Sequence, residues 1–343
     1  MNRSDFKGSN LNGNNFTLLR LLAAYFVLIS NSFVVLQKPL EQPALWYNDK
    51  SINFGGVGYD IFFSISGFLV TQSLFNSNSL KHYFWKRILR TVPALAVANL
   101  VCIIFGCFIT TLSLKEYITN TSTWTFILKN TTLLKNQFYL PGVFESLKDP
   151  TVNASLGSIL IGVGCCLTLF FAAYFIVIRK WLYLACFVLF EAMRVYFTIF
   201  NNYHLESLNL HDIFAFGTYF YLGSLLYVFK DILPFKWFYA NILMAIALAT
   251  AYTFLESITI SIFFAYCFII IGTSKELIDL KGENFSFGVY LYSFPIQQVT
   301  VFYFGYSINL WLHLIISSVL ATLLAFLSWN FVEKPLLTQK DRL

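Results

Sequence analysis

NFTLLRLLAAYFVLISNSFVVL, residues 15–36, is an apolar stretch of the length that crosses a membrane as a single helix. At 1.5 Å per residue, about 22 residues reach across a hydrocarbon core roughly 30 Å thick. Arg20 lies one turn into this stretch, and a polar Ser30-Asn31-Ser32 cluster follows three turns later. A charged arginine inside a membrane helix indicates a functional site unless its side chain reaches the headgroups near the helix end, and both interpretations are open for Arg20.

The composition places the whole chain in a membrane. Hydrophobic residues make up 57% of the 343 positions, charged residues make up 12%, and 39 residues are Phe. Such a chain has too little polar surface to cover a soluble globule of its size. We expect an all-α integral membrane protein that forms one domain over residues 1–343.

About ten apolar segments have spanning length, and each is predicted to be a transmembrane helix. They lie near residues 16–36, 57–75, 94–113, 155–178, 181–199, 212–229, 237–255, 257–272, 285–304 and 308–331.

The placement of Lys and Arg predicts the orientation of these helices. Alternate connections, starting with the N-terminal segment, hold most of the 23 Lys and Arg residues, including Lys81, Lys86, Arg87 and Arg90. The other connections hold only Lys38, Lys50, Lys115, Lys129, Lys135 and Lys148. Because cytoplasmic connections are enriched in Lys and Arg, both termini are predicted to be cytoplasmic. The longest connection, about Leu114 to Asn153, is then extracytoplasmic.

Three stretches carry polar residues that could do chemistry. In KHYFWKRILRTVPAL, residues 81–95, Arg87 and Arg90 are three positions apart, on one face if helical, and two such arginines can grip a phosphate. Ordinary topogenic charge is the alternative. In GVGYDIFFSISGFLVTQSL, residues 56–74, small residues such as Ser66 and Gly67 favour close helix packing, and Asp60 is predicted to be solvated near the extracytoplasmic end.

The third stretch is the ninth apolar segment, which contains a proline. Pro295 is predicted to break the helical ladder and to free carbonyls that a cavity or a neighbouring helix must satisfy. The side chains of Ser293, Gln297 and Gln298 are polar at the same depth.

An ordered set of motifs resembles the acyltransferase-3 family of bacterial membrane proteins. The set is LLRLLAAYFVLISNSF, GYDIFFSISGFLVTQSL, FWKRILRTVPAL, LPGVFE, VNASLGSI, FYLGSLLYVF, FGVYLYSFPIQQ and FVEKP, in chain order. The resemblance implies about ten helices in the plasma (inner) membrane and transfer of an acyl group, often acetyl, from acyl-CoA to a cell-surface carbohydrate. It implies no metal and no nucleic-acid partner.

The resemblance also implies roles for individual residues. Arg20 and a residue eleven positions later match the family's Arg and catalytic His, and Arg87 and Arg90 match its Arg-x-x-Arg, placed in a cytoplasmic loop and assigned to the phosphates of acyl-CoA. The residue at the His position is Asn31. An amide cannot accept a proton near neutral pH, so the sequence predicts an impaired enzyme at this step.

Other positions depart from the family in the same direction. Gly157 and Ser158 replace a Trp-Thr pair, Gly162 replaces a Glu, and Ser293 replaces a His. The four histidines, His82, His204, His211 and His313, are candidates for a substitute base. His211 precedes Asp212, but sequence neighbours seldom face each other, and Glu191 and Arg194 are expected to form a structural ion pair.

The sequence therefore leaves three functional hypotheses. The first is an O-acyltransferase with Arg20 and Asn31 at its catalytic position and Arg87 and Arg90 at its donor site. The second is a non-catalytic relative that keeps the fold as a binding or assembly partner. The third is a transporter or flippase, which the absence of an internal repeat disfavours.

Overall fold

The computed structural model describes residues 15–47, 50–77, 79–133, 135–175, 180–199, 204–205, 208–253, 255–275, 277–278 and 283–339. Its helices are α1 (Asn15–Val35), α2 (Phe54–Asn76), α3 (Leu80–Ile109), α4 (Leu114–Thr119), α5 (Thr121–Thr132), α6 (Ser155–Phe175), α7 (Lys180–Ile199), α8 (Leu210–Val228), α9 (Trp237–Ala249), α10 (Glu256–Thr273), α11 (Ser286–Phe304), α12 (Leu310–Ser328) and α13 (Lys334–Gln339). Two antiparallel hairpins pair β1 (Ala44–Tyr47) with β2 (Lys50–Asn53) and β3 (His204–Leu205) with β4 (Leu208–Asn209).

The chain is a multi-pass membrane protein. Six of the described helical stretches are long and apolar enough to cross a membrane: α1, α2, Tyr83–Ile109 of α3, Lys180–Thr198 of α7, α10, and Leu310–Leu337 at the end of the chain. Each of the ten predicted segments coincides with a helix, but α9 has only 13 residues, fewer than a straight span needs. The number of ten spans therefore remains a prediction.

Helix α1 lies at the centre of the bundle. It packs against α2 and α11 on its two sides and also contacts α10 and α12. Glycine makes the α1–α2 approach close, because a Cβ on Gly58 would lie 2.8 Å from the carbonyl oxygen of Ala23. α2 continues the packing to α8, and α8 continues it to α7.

The crossing of α2 and α8 is closer still. A Cβ on Gly67 would lie 1.8 Å from the carbonyl oxygen of Phe220, and one on Gly223 would lie 1.9 Å from that of Ser64. Ser224 Oγ donates hydrogen bonds to the carbonyls of Gly67 and Phe220 across and along this contact. The predicted packing role of Gly67 is confirmed: two glycines let the helix backbones touch.

The two ends of the bundle differ. We call the end where α1, α3 and α11 finish the loop side, because the long connection 110–154 lies there, and the opposite end the terminal side. The connection includes two helices absent from the predicted segments, α4 and α5. α4 begins with a capping box between Ser113 and Glu116, and Asn120 caps α5 through the backbone N–H of Ser122.

The α2–α8 contact gives a first prediction. Gly223→Ala places a methyl group against a backbone carbonyl that cannot move aside, so we expect a loss of at least roughly 1–3 kcal/mol in unfolding free energy. The measurement is the midpoint of thermal unfolding in detergent.

The matched control is Gly164→Ala in α6, where a Cβ meets nothing within 4 Å. This change should stabilise by up to about 1 kcal/mol through helix propensity. Equal midpoints for the two variants would contradict the close α2–α8 crossing.

Candidate functional site

Three arginines from two helices gather on the terminal side of the bundle. Arg20 of α1 is only 8% exposed. Arg90 and Arg87 of α3 lie close enough to repel its positive charge. Arg87 and Arg90 are half-buried, and the guanidinium carbon of Arg87 lies 5.7 Å from the ring centroid of Tyr83. The structure thus brings together the three arginines that the sequence singles out.

The predicted placement of Arg87 and Arg90 in a loop is wrong. α3 begins at Leu80 and not near residue 94, so both arginines lie within a continuous helix that also contains Pro93. The prediction failed because the charged and aromatic residues at 81–90 are typical of an interfacial connection, whereas they form the first turns of α3. The helix fixes the spacing of the two guanidinium groups on one face.

One carboxylate faces this arginine cluster. The last residues of the bundle, Trp329–Glu333, form a π-helical turn that packs against α3, and Glu333 is the acidic neighbour of Arg90. Ser328 Oγ donates a hydrogen bond of 3.1 Å to Glu333 Oε1. No described carboxylate forms an ion pair with any of the three arginines, so the cluster has an excess of positive charge and suits an anion.

A cavity of about 350 Å³ opens on the loop side, away from the arginine cluster. It lies between α2, α6, α8 and the long connection, and aromatic rings, hydroxyl groups and one carboxylate line it. The lining residues are Tyr59, Phe138, Tyr139, Thr151, Ala154, Gly157, Ser158, Ile161, Asp212 and Phe216.

One wall of the cavity is the re-entrant segment, residues 148–155, which enters the bundle along α11. The backbone N–H of Lys148 donates to Tyr306 Oη, and Gln298 Nε2 donates to the carbonyls of Asp149 and Thr151 at 2.9 and 2.8 Å. Asn153 then reaches Leu291, about 10 Å further along α11 than Gln298. Non-helical backbone is tolerated at this depth because protein buries it and a cavity adjoins it.

Pro295 accounts for the end point of this segment. It does not break α11, which continues from Ser286 to Phe304, but it removes the N–H that Leu291 O would accept. Asn153 Nδ2 donates to that carbonyl at 3.0 Å, and Ser155 Oγ donates to the neighbouring carbonyl of Tyr290 at 3.1 Å. The freed acceptor is therefore satisfied by the long connection, not by a neighbouring helix.

A layer of hydroxyl groups separates the cavity from the arginine cluster. Tyr290 of α11 is hydrogen-bonded to Ser158 of α6, and its ring centroid lies 6.3 Å from that of Tyr59 in α2. Gly58, the chain neighbour of Tyr59, packs at Ala23, which follows Arg20 by about one turn of α1. Sequence reasoning does not single out Tyr59 or Asn153; Pro295, whose freed carbonyl requires a donor, is the signal that points to Asn153.

Comparison with known proteins shows the family of this chain. A family model described as an acyltransferase domain, acyltransferase-3, matches residues 14–330. The chain belongs to the acyltransferase-3 family. It is 26% identical over 343 residues to a protein of Shigella phage Sf6 described as an O-acetyl transferase, across 96% of this chain and 97% of that protein.

A second relative of this acyltransferase-3 protein matches over a shorter stretch. The chain is 42% identical over 97 residues to nodulation protein 10 of Rhizobium leguminosarum bv. viciae, across 27% of this chain and 26% of that protein. No solved structure matches.

Asn31 stands apart from the other site residues of this acyltransferase-3 chain. It lies eleven residues after Arg20 on nearly the same face of α1, which places it about 16 Å further along the helix. It is half-buried and is not among the residues that line the cavity. Arg20 and Asn31 therefore do not contact each other directly.

The remaining departures from the family have distinct surroundings. Gly157 lines the cavity, so no side chain occupies that part of its wall. Gly162 also has room, since a Cβ would meet only the Phe63 ring, at 3.7 Å. Ser293 is fully buried and donates to the carbonyl of Tyr290 at 3.0 Å.

The histidines differ in their relation to the cavity. His211 Nδ1 lies 3.3 Å from Asp212 Oδ1, so the expectation that these neighbours do not face each other is wrong: both side chains project from the first turn of α8. His313 is fully buried, with Nε2 3.4 Å from the carbonyl of Gln297. The side chains of His82 and His204 lie outside the described residues.

A second polar cluster has a structural explanation. Arg194 Nη2 contacts Glu191 Oε1 at 2.7 Å and the carbonyl of Ser257 in α10 at 2.9 Å, so the predicted pair is confirmed. Asp60, predicted to be solvated, is instead half-buried, with Tyr219 of α8 and Arg194 of α7 among its neighbours. These contacts tie α2, α7, α8 and α10 together.

The residues that could hold a cofactor are the arginines. The described residues contain no group of three or more His, Cys, Asp and Glu side chains that could bind a metal ion. The arginine cluster fits the phosphates of a donor such as acyl-CoA, because planar guanidinium groups bind phosphate oxygens in pairs.

The Pro295–Asn153 pairing gives a second prediction. Asn153→Ala leaves the Leu291 carbonyl buried and unsatisfied, which costs about 1–3 kcal/mol of unfolding free energy. In a Pro295→Ala background the restored N–H at 295 satisfies that carbonyl, so the same change should cost less. Thermal unfolding of the four proteins in detergent measures the difference.

Comparing the four proteins as a double-mutant cycle also cancels a second effect of Asn153→Ala on the hydrogen bonds. Asn153 Oδ1 accepts from the Ser155 N–H, and that bond is lost in both backgrounds. An equal cost of Asn153→Ala with Pro295 and with Ala at 295 would contradict the proposed partnership.

Proposed function

We propose that this protein is a membrane O-acyltransferase that moves an acyl group, most simply acetyl, from cytosolic acyl-CoA to a carbohydrate of the cell envelope. The observation that carries the proposal is the arginine cluster on one side of the bundle and the cavity on the other. The full-length likeness to a protein described as an O-acetyl transferase supports the same reaction.

The proposal includes a topology. Residues 1–343 form one domain with about ten membrane-crossing helices in a bacterial plasma (inner) membrane, and both termini are cytoplasmic. The asymmetry of Lys and Arg between alternate connections supports this orientation. The terminal side, with the arginine cluster, then faces the cytosol, and the cavity opens to the extracytoplasmic space.

The arginines bind the donor in this proposal. Arg87 and Arg90, one turn apart on α3, hold phosphate groups of acyl-CoA, which bring the negative charge that the cluster lacks. Arg20, deeper in the bundle, positions the thioester end of the donor.

The transfer itself joins the two sides. An acceptor hydroxyl attacks the thioester carbonyl, the carbon–sulfur bond breaks, and the hydroxyl proton passes to the leaving CoA thiolate. The family's His would carry that proton as a general base, which typically contributes a hundred- to ten-thousand-fold in rate. Asn31 cannot do so, and the chain is therefore a slow enzyme at this step.

A second candidate is a non-catalytic relative that keeps donor binding and serves as a binding or assembly partner. Asn31 favours this candidate, because the chain keeps the positively charged Arg20 but has no proton acceptor at position 31.

The donor site gives a third prediction. Arg87→Ala and Arg90→Ala should each weaken CoA binding to the purified protein at least about tenfold, since each removes hydrogen bonds to a charged group. Isothermal titration with CoA measures the affinity.

Lys81→Ala is the control. Lys81 lies in the same helix and is exposed, and its substitution removes one positive charge, as each arginine substitution does. An affinity that is unchanged when both arginines are replaced would remove α3 from the donor site.

The missing base gives a fourth prediction. Asn31→His should raise the rate of acyl transfer from labelled acetyl-CoA about a hundredfold or more by supplying a proton acceptor. Asn31→Gln is the control, because it keeps an amide and should not raise the rate. Equal rates for the Asn31→His variant and the unaltered chain would show that the proton is accepted elsewhere.

A further inference from the structure

The loop-side cavity has two kinds of surface. Tyr59, Phe138, Tyr139 and Phe216 supply aromatic rings, and Thr151, Ser158 and Asp212 supply hydroxyl and carboxylate oxygens. A sugar ring has the same two kinds of surface, since its C–H groups pack on aromatic rings and its hydroxyls bond to oxygen acceptors. We propose that this cavity binds the acceptor as a neutral sugar ring, with Asp212 accepting hydrogen bonds from its hydroxyls.

The charge of the cavity selects a neutral sugar over an acidic one. Asp212 is the one ionisable acid among the described lining residues, and none of those residues is Lys, Arg or His. A phosphate or a sugar carboxylate would meet a like charge, and His211, the basic group in contact with Asp212 at 3.3 Å, is not among the lining residues. Positive charge is instead concentrated in the arginine cluster, on the donor side of the hydroxyl layer.

The shape of the cavity fits one end of a glycan. Its volume of about 350 Å³ is at the small end of the range of about 300–1,000 Å³ that ligand pockets occupy. Tyr139, Ala154 and Asp212 are exposed, so the mouth is open and a longer chain can continue outward. At the inner end, Ser158 contacts Tyr290, so a bound hydroxyl lies near the donor side.

Gly157 contributes to this space. It is buried in the first turns of α6 and lines the cavity, where a large side chain would fill part of the volume. The assignment rests on the proposed acyl transfer, because it names the acceptor of that reaction.

Protection of a cavity cysteine tests the assignment. Ala154→Cys adds one sulfur atom at an exposed position of the cavity, and its rate of maleimide labelling is measured on the full chain in detergent. A panel of neutral methyl hexosides is compared with glucuronate and inorganic phosphate. We expect a neutral hexoside at ten times its dissociation constant to slow labelling about tenfold, and the two anions to have no effect.

Controls separate protection from general effects. Thr119→Cys, exposed on α4 away from the cavity, should label at the same rate with and without sugar, and the unaltered chain gives the background of the native cysteines. Asp212→Asn in the Ala154→Cys chain should raise the hexoside concentration needed for protection about tenfold or more. Gly157→Cys replaces the reporter if Ala154→Cys does not fold.

Two results would overturn the proposal. One is labelling that no hexoside slows, and the other is protection by glucuronate or phosphate equal to or stronger than that by hexosides. CoA affinity measured on the same protein distinguishes failure of the acceptor-site proposal from failure of the proposed function. Intact CoA binding without sugar protection removes the acceptor site alone, whereas lost CoA binding with intact protection removes the donor assignment.

Discussion

A single carbonyl group, that of Leu291, organises the loop-side half of this protein. Pro295 removes its partner within α11, and an unsatisfied carbonyl inside a membrane protein is costly. Asn153 supplies the donor, and to reach it the chain must lie extended against α11 over residues 148–155. The start of α6, the wall of the cavity and Ser158 lie next to this hydrogen bond, which the contacts of Gln298 and Ser155 with the same segment support.

The second organising constraint is the separation of charge along the bundle. Arginines from α1 and α3 lie on the terminal side with Glu333 as their acidic neighbour, and the loop-side cavity contains a carboxylate but no described cation. Next to the cavity, the hydroxyls of α6 and α11 are hydrogen-bonded to each other, and a tyrosine ring of α2 packs against them. In the proposed reaction, an anionic donor and an uncharged acceptor approach from opposite faces of the membrane and do not compete for one site. Close glycine contacts at Gly67 and Gly223 hold the helices on which this separation depends.

Asn31 is the position at which fold and chemistry disagree. The helix that carries it packs as the bundle requires, and its neighbour Ser32 accepts a hydrogen bond from Gln297 of α11. The amide changes proton chemistry while leaving packing intact, because Asn is polar and compact enough for the same half-buried place.

The sequence by itself determined the class, the helices and the three arginines. Apolar runs and small residues express local and pairwise physics, so all ten segments coincide with helices, and Gly67 lies in a close contact. The start of α3 was misplaced because its charged first turns resemble a loop, and the helices α4 and α5 were not anticipated. Only the tertiary structure decided that Asn153 donates to the carbonyl that Pro295 leaves without a partner. The same is true of the proximity of Glu333 to Arg90 and of the shared cavity of Tyr59, Ser158 and Asp212. These contacts join residues that are far apart in the chain. Hydrophobic periodicity indicates the helix and the face on which a residue lies, but it does not indicate which polar group contacts that residue across the bundle.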